Sequence, residues 1–179
     1  MRIIAGSLGG RIFESPKGHV THPMADRVRG GLFNTLGDIA GLTVLDAYAG
    51  SGALCFEAVS RGASHATAID IDKEAHRTIV RNIQDLDLDA KVQVYRKQIS
   101  SWVSGHPNLF FDLIFCDPPY HDLRRDVLLK IAKRLDHEGT FVLSWPGREK
   151  PPVFAGLSLV RQKSYGDAQL IFYKRQAVA

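Results

Sequence analysis

Two cysteines in 179 residues are too few for a disulfide scaffold, and Cys55 and Cys116 show no metal-ligand spacing. They fall in an expected helix and an expected strand, which suits reduced core residues of a cytoplasmic protein. No apolar run approaches the roughly 20 residues that a membrane helix needs. The start, Met1-Arg2-Ile3-Ile4-Ala5-Gly6, has no long apolar stretch of the kind a signal peptide carries. Repeats and low-complexity segments are absent. The dinucleotide fingerprint Gly-x-Gly-x-x-Gly is incomplete as well, because Cys55 stands in its last place.

What is present is one domain's length of chain with 45% hydrophobic residues, enough for a full core. The net charge of +4 is unevenly spread. Residues 1–31 hold five Lys/Arg against two Asp/Glu, residues 145–179 hold six against two, and residues 32–144 hold twelve against fifteen. Basic flanks around a slightly acidic centre suit a polyanion bound at the periphery and a small cationic cofactor held within.

The most informative stretch is Leu113-Ile-Phe-Cys-Asp-Pro-Pro-Tyr120. Its apolar half reads as a buried parallel strand. Pro118 and Pro119 then forbid strand or helix, since both fix φ and neither has an N–H. A stiff loop results at a strand's carboxyl end, where open α/β sheets hold their ligands. It offers the Asp117 carboxylate, the Pro118 carbonyl and the Tyr120 ring. Two acceptors and a stacking face fit a nucleobase edge that carries an exocyclic NH2.

Two further segments supply a cofactor site. Leu42-Thr-Val-Leu-Asp-Ala-Tyr-Ala-Gly-Ser-Gly52 reads as a strand running into Gly50 and Gly52, followed by a helix from Ala53 to Arg61 that Gly62 ends. Ala66-Thr-Ala-Ile-Asp-Ile-Asp72 is a second strand closing on Asp70, twenty residues after Gly50. At that spacing a carboxylate can grip the two hydroxyls of an adenosine ribose. With Asp46 ahead of the glycines, the pattern Asp-x-x-x-Gly-x-Gly fits S-adenosylmethionine better than NAD.

Alternating strand and helix patterns predict an α/β, mostly parallel, doubly wound sheet. Helices are expected over Asp72–Leu86, Ile99–Val103 and Leu123–Leu135, with strands over Val92–Tyr95, Phe111–Cys116 and Gly139–Leu143. Ser158–Val160 and Ala168–Tyr173 look like a closing antiparallel hairpin. Residues 1–40 stand apart as a basic extension ahead of a catalytic domain over 41–179. In it, Arg2–Ala5 and Gly10–Phe13 could form a small hairpin, and Pro16, Gly18 and Pro23 mark a loop. Asp26–Leu36 reads as a helix with Val28, Leu32, Phe33 and Leu36 inward. Arg27 and Arg29 are expected off that stripe, contacting nucleic acid. The histidines, His19, His22 and His121 among them, show no nucleophile or metal pattern and are expected at the surface.

Arg2-Ile-Ile-Ala-Gly6, Gly10-Arg11, Pro23, Asp26-Arg-Val-Arg29, Leu32-Phe-Asn34, Asp46–Gly52 and Asp117–Tyr120 occur in an order that resembles the bacterial 16S ribosomal-RNA guanine-N2 methyltransferases of the RsmD family. The resemblance spans nearly the whole chain. It implies a Rossmann-like S-adenosylmethionine-dependent methyltransferase with a seven-stranded sheet and an antiparallel C-terminal strand. Its substrate would be one guanine of 16S rRNA in the small ribosomal subunit or an assembly intermediate, and its by-product S-adenosylhomocysteine. It also implies Asp117, Pro118, Pro119 and Tyr120 as catalytic. The implied cofactor residues are Asp46, Ala47, Tyr48, Gly50, Gly52, Asp70, Ile71, Gln98 and Ile99, and the RNA-contacting ones Arg2, Arg11, Arg27 and Arg29. No metal and no membrane is implied. Two departures stand out. Gly30 replaces the family's usual Glu, and Lys97-Gln98-Ile99 replaces the usual acid or Asn after the third strand.

Three other readings share parts of the pattern. A DNA adenine-N6 methyltransferase shares Asp-Pro-Pro-Tyr, but this chain has no room for a target-recognition domain. A protein-glutamine methyltransferase usually has Asn at the position of Asp117. A non-catalytic RNA-binding assembly factor would keep the basic flanks without needing Asp70.

Overall fold

The computed structural model describes residues 1–17 and 24–176. Gly18, His19, His22 and Pro23 lie outside the described residues. The elements run α1 (Asp26–Leu36), β1 (Thr43–Asp46), α2 (Ala53–Ser60), β2 (His65–Asp70), α3 (Lys73–Asp85), β3 (Val92–Arg96), α4 (Ile99–Gly105), β4 (Phe111–Cys116), α5 (Arg125–Ala132), β5 (Leu135–Pro146), β6 (Leu157–Tyr165) and β7 (Ala168–Arg175). They build one seven-stranded sheet in the order β3-β2-β1-β4-β5-β7-β6. The first five strands are parallel, while β7 runs antiparallel between β5 and β6. This is the expected Rossmann-like architecture with its antiparallel finish.

Strand periodicity sorts the core onto two faces. Val44, Leu113 and Phe115 join one apolar cluster with α1, α2 and α3. Leu45, Ile114 and Cys116 point the other way, to Trp102 of α4 and Val127, Leu128 and Ile131 of α5. Both cysteines are free and buried. The best-marked helix, α3, begins where the Asp72 side chain accepts the Ala75 N–H at 2.7 Å, satisfying an orphan donor of its first turn.

Three boundaries differ from expectation. The helix expected over Leu123–Leu135 covers only Arg125–Ala132, because Leu135 is taken by β5, where it pairs with Phe111. That strand spans twelve residues rather than Gly139–Leu143, since the polar stretch Asp136–Glu138 interrupts the apolar pattern without breaking the strand. The N-terminal hairpin is a single antiparallel bridge, Arg2 to Ile12.

The N-terminal segment is held on the sheet domain by one buried carboxylate. Glu57, on α2, is fully buried and accepts the Ile4 N–H at 2.7 Å and the Ala5 N–H at 3.1 Å. Arg61 Nε donates to the same carboxylate at 2.7 Å, and Arg29 Nε stands 3.7 Å away. Ser60, a turn later, accepts from Leu8 N–H and donates to the Ala5 carbonyl. Ile3 and Phe13 are thereby sunk into the α1–α2–α3 cluster, Phe13 edge-on to Phe56 with ring centroids 5.2 Å apart.

This network corrects the reading of Arg29 as an RNA contact. Its side chain is fully buried, paired with Glu57 and Asp26, and donates to the Arg2 carbonyl at 2.6 Å. Positions 29, 32, 33 and 36 lie at helical spacing, so Arg29 belongs to the inward stripe and not to the solvated face. Removing it leaves a buried carboxylate short of one partner, which costs about 3 kcal/mol or more. Arg29→Ala is therefore expected to lower unfolding free energy by that amount in urea titration, and a loss below about 1 kcal/mol would remove Arg29 from the structural network.

Candidate active site

The sheet order reverses between β1 and β4: the chain leaves β1 toward β2 and β3, then returns to place β4 and β5 on the other side. Crevices at the carboxyl ends of two such strands are where open α/β sheets bind ligands. A cleft of about 900 Å3 opens there, within the roughly 300–1,000 Å3 usual for small-molecule sites.

On one side, β1 ends at Asp46 and the chain turns through Gly50 (φ +53°) and Gly52 (φ +78°) into α2. Gly52 is required twice over, by its left-handed backbone and because a Cβ would stand 2.8 Å from the Phe56 ring. The Gly50 N–H donates to Asp70 at the end of β2 at 2.7 Å, and the other Asp70 oxygen accepts the Asp72 N–H at 2.8 Å. Asp70 thus fixes the glycine loop, and a carboxylate with about four lone-pair sites still has acceptors free for a ligand. Ala47, Tyr48, Gly50, Asp70, Ile71, Gln98 and Ile99 all line the cleft, Ile71 with 59% of its surface exposed. Asp46 and Gly52 sit behind that lining.

On the other side, Asp117, Pro118, Pro119 and Tyr120 line the same cleft. Pro118 is buried, while Tyr120 keeps 39% of its surface open at the mouth. The Tyr120 hydroxyl is 2.8 Å from Ser144 Oγ on β5. Burial raises the Asp117 pKa above the usual carboxylate range, and a hydrogen bond with the Ser144 side chain opposes that rise.

Asp46 is the most perturbed carboxyl group among the described residues. Burial, then the charges of Asp117 and Asp70, push its pKa from 3.8 to about 8. Its Oδ1 is buried without a hydrogen-bond partner, while Oδ2 faces the Cys55 thiol at 3.9 Å. Asp70 and Asp117 line the cleft and Asp46 stands behind them holding its proton, a setting rich in acceptors and suited to a positively charged ligand. The glycine turn, the fixed Asp70 and the unpartnered Asp46 oxygen fit an adenosine carrying a cationic methionine end, as S-adenosylmethionine does.

The arginines named from the sequence are not brought to this cleft. Arg2 is exposed and pairs with Asp26 at 3.4 Å, Arg11 donates to the Asp85 carbonyl at the far end of α3, and Arg27 is exposed on α1. Sequence reasoning passed over Ser144 and Tyr165, both in the cleft wall. The rule that ligands sit at strand carboxyl ends applies to β5 as much as to β4, and would have found Ser144.

Gly31 explains part of the weak helix formed by the Gly30-Gly31 pair. A Cβ at Gly31 would collide with the Tyr165 hydroxyl, whereas one at Gly30 would meet only Ile4 Cδ1 at 3.8 Å. Tyr165 packs across the α1 backbone and closes the cleft on that side.

Residues 1–174 match the model of the family described as Conserved hypothetical protein 95. Ribosomal RNA small subunit methyltransferase D of Escherichia coli K12 is 33% identical over 187 residues, covering 99% of this chain and 91% of that protein. The Bacillus subtilis protein YlbH is 33% identical, covering 98% of this chain and all of its own. Among solved structures, E. coli yhhF superimposes with a TM-score of 0.87 at 30% identity, covering 99% of both chains. The structure of SMU.776 in complex with SAH shares the fold at a TM-score of 0.64 and 18% identity, covering 83% of this chain and 48% of that one.

The Asp46 proton has a measurable consequence. Folded, the group holds its proton to about pH 8; unfolded, it releases it near its ordinary 3.8. Folding therefore takes up a proton between these values, and stability falls as pH rises through that window, by up to about 1.4 kcal/mol per pH unit. Asp46→Asn should flatten this slope in ligand-free protein, as read by urea unfolding at several pH values. An unchanged slope would mean that Asp46 is ionised in the fold.

Proposed function

Because the chain belongs to the Conserved hypothetical protein 95 family, which takes in the ribosomal RNA small subunit methyltransferase D relatives, we propose that it transfers a methyl group from S-adenosylmethionine to the exocyclic N2 of one guanine in small-subunit rRNA. The observation that carries this reading is the facing of two loops across the β1–β4 switch point. The Gly50–Asp70 clamp and the Asp117–Tyr120 loop line one cleft. That the distant relative SMU.776 holds SAH on the same fold supports the choice of donor. The substrate is the rRNA of the small subunit or its assembly intermediate, which places the activity in the cytoplasm. Among the described residues no helix is long and apolar enough to cross a membrane.

When bound, S-adenosylmethionine supplies an electrophilic methyl on a sulfonium. Asp70 accepts from the ribose hydroxyls, Ile71, Gln98 and Ile99 flank the adenine, and Asp46 with Ala47 and Tyr48 frames the methionine end. A guanine amine is a poor nucleophile because its lone pair is delocalised into the ring. Asp117 and the Pro118 carbonyl accept its two N–H hydrogens, which aims the lone pair and favours its pyramidal form. The Asp117 carboxylate stabilises the positive charge that develops on the amine. Tyr120 receives the extruded base by stacking, and Pro119 keeps the loop stiff. Residues 1–40 form the RNA-facing extension and 41–179 the catalytic unit, with Arg2, Arg11 and Arg27 as exposed phosphate contacts.

Asp117→Ala is expected to abolish transfer while changing donor affinity less than about tenfold. Asp70→Ala is expected to weaken donor binding by about 1–3 kcal/mol, the usual loss for a charge-assisted hydrogen bond. Calorimetry separates the two, and a large loss of donor affinity in Asp117→Ala would move that residue to the cofactor side. Nucleoside mass spectrometry of small subunits lacking the modification reads the product. N2-methylguanine supports the assignment, N6-methyladenine would overturn the substrate, and no methylated nucleoside would favour a binding factor.

Arg27→Ala should weaken RNA binding evenly across sequences and reduce the salt slope by about 1. If affinity and slope both stay fixed, Arg27 is a solvated side chain only.

A further inference from the structure

We infer that Ser144, at the carboxyl end of β5, is a positioning residue that ties Asp117 and Tyr120 into one unit. The inference rests on the methyltransferase reading of the cleft and deepens it. Ser144 is 5% exposed, yet it lines the cleft rather than the core. It pairs with Leu170 of β7 in the antiparallel ladder and follows Leu143, the last residue of β5 paired with β4. Its backbone is thus held by regular structure on the β7 side and opens toward the Asp117 loop on the other. A serine in that setting is poor packing material, and a hydroxyl buried there needs partners. It finds the Tyr120 hydroxyl at 2.8 Å, and the Asp117 carboxylate lines the same cleft beside it, where the Ser144 side chain lowers its pKa. Among the described residues neither group has a comparable anchor: the two prolines between them stiffen the loop but carry no N–H to fasten it.

The hydroxyl works on each neighbour differently. It sets the Tyr120 ring at the mouth of the cleft, where a base would stack. It also favours the ionised form of Asp117, which burial otherwise disfavours. Among the described residues, the groups that bear on Asp117 are Asp46 from the end of β1, Cys116 just before it, Ser144 and Tyr120. Of these, Ser144 alone stabilises the charge. One hydroxyl thus couples the acceptor of the amine to the surface that holds the base.

The test is steady-state methylation of small subunits by the full chain carrying Ser144→Ala, Ser144→Thr or Tyr120→Phe. Ser144→Ala is expected to lower kcat by about tenfold, the size of one charge-assisted hydrogen bond. The acid limb of its kcat/KM profile should move to higher pH while donor affinity stays unchanged. Ser144→Thr keeps the hydroxyl and suits a strand, so it should restore both kcat and the profile. Tyr120→Phe removes the link from the other side and should lower kcat without moving the acid limb upward. The double variant Ser144→Ala, Tyr120→Phe should cost less than the product of the two single losses. An unmoved acid limb in a folded Ser144→Ala protein, or full additivity with Tyr120→Phe, overturns the inference. If Ser144→Ala does not fold, Ser144→Thr without activity overturns it, since the hydroxyl is retained. Wild-type chain that methylates nothing would instead sink the methyltransferase reading itself.

Discussion

The Glu57 carboxylate is the interaction on which the arrangement of this molecule turns. It sits on α2, whose first residue follows the glycine turn of the cleft, and its oxygens hold the backbone of Ile4 and Ala5. An ion stripped of water needs its charge compensated on several sides. Arg61 meets it from the C-cap of the same helix and Arg29 from α1. A segment with only one isolated β-bridge of its own among the described residues is thereby fixed to the sheet through a helix that also borders the glycine loop. Displacing the N-terminus would disturb α2, and with it the wall of the cleft.

The second organising constraint is electrostatic. Asp46, Asp70 and Asp117 end three parallel strands or the loops just beyond them, so topology alone gathers three acids in a small volume. Mutual repulsion and burial are relieved on Asp46 by a proton, and Asp70 spends its oxygens on the backbone of Gly50 and Asp72. A cation entering the cleft would relieve the same repulsion. The site therefore has its acceptors set in position before a ligand arrives, which is a form of preorganisation.

The strand and glycine patterns were legible because they reflect backbone requirements: period two in the strands, positive φ at Gly50 and Gly52, φ fixed at Pro118 and Pro119. Those placed the glycine turn and the Asp117–Tyr120 loop on one cleft. What escaped was set by long-range partners. Arg29 reads as a surface charge until Glu57, 28 positions away, is known to be buried beside it. Ser144 reads as an ordinary strand residue until Tyr120 is seen across the cleft. Leu135 fits a helix by spacing, but the neighbouring strand β4 captured it through Phe111.

Gly31 and Tyr165 are 134 positions apart, yet they form one steric unit, because any side chain at the first occupies the volume of the second's hydroxyl. The low helix propensity of α1 at that point is the counterpart of an aromatic wall contributed by the sheet's antiparallel edge. In this chain a larger residue at the helix position requires a shorter one on the strand. The width of the cleft on that side is thus set by two positions jointly, neither of which fixes it alone.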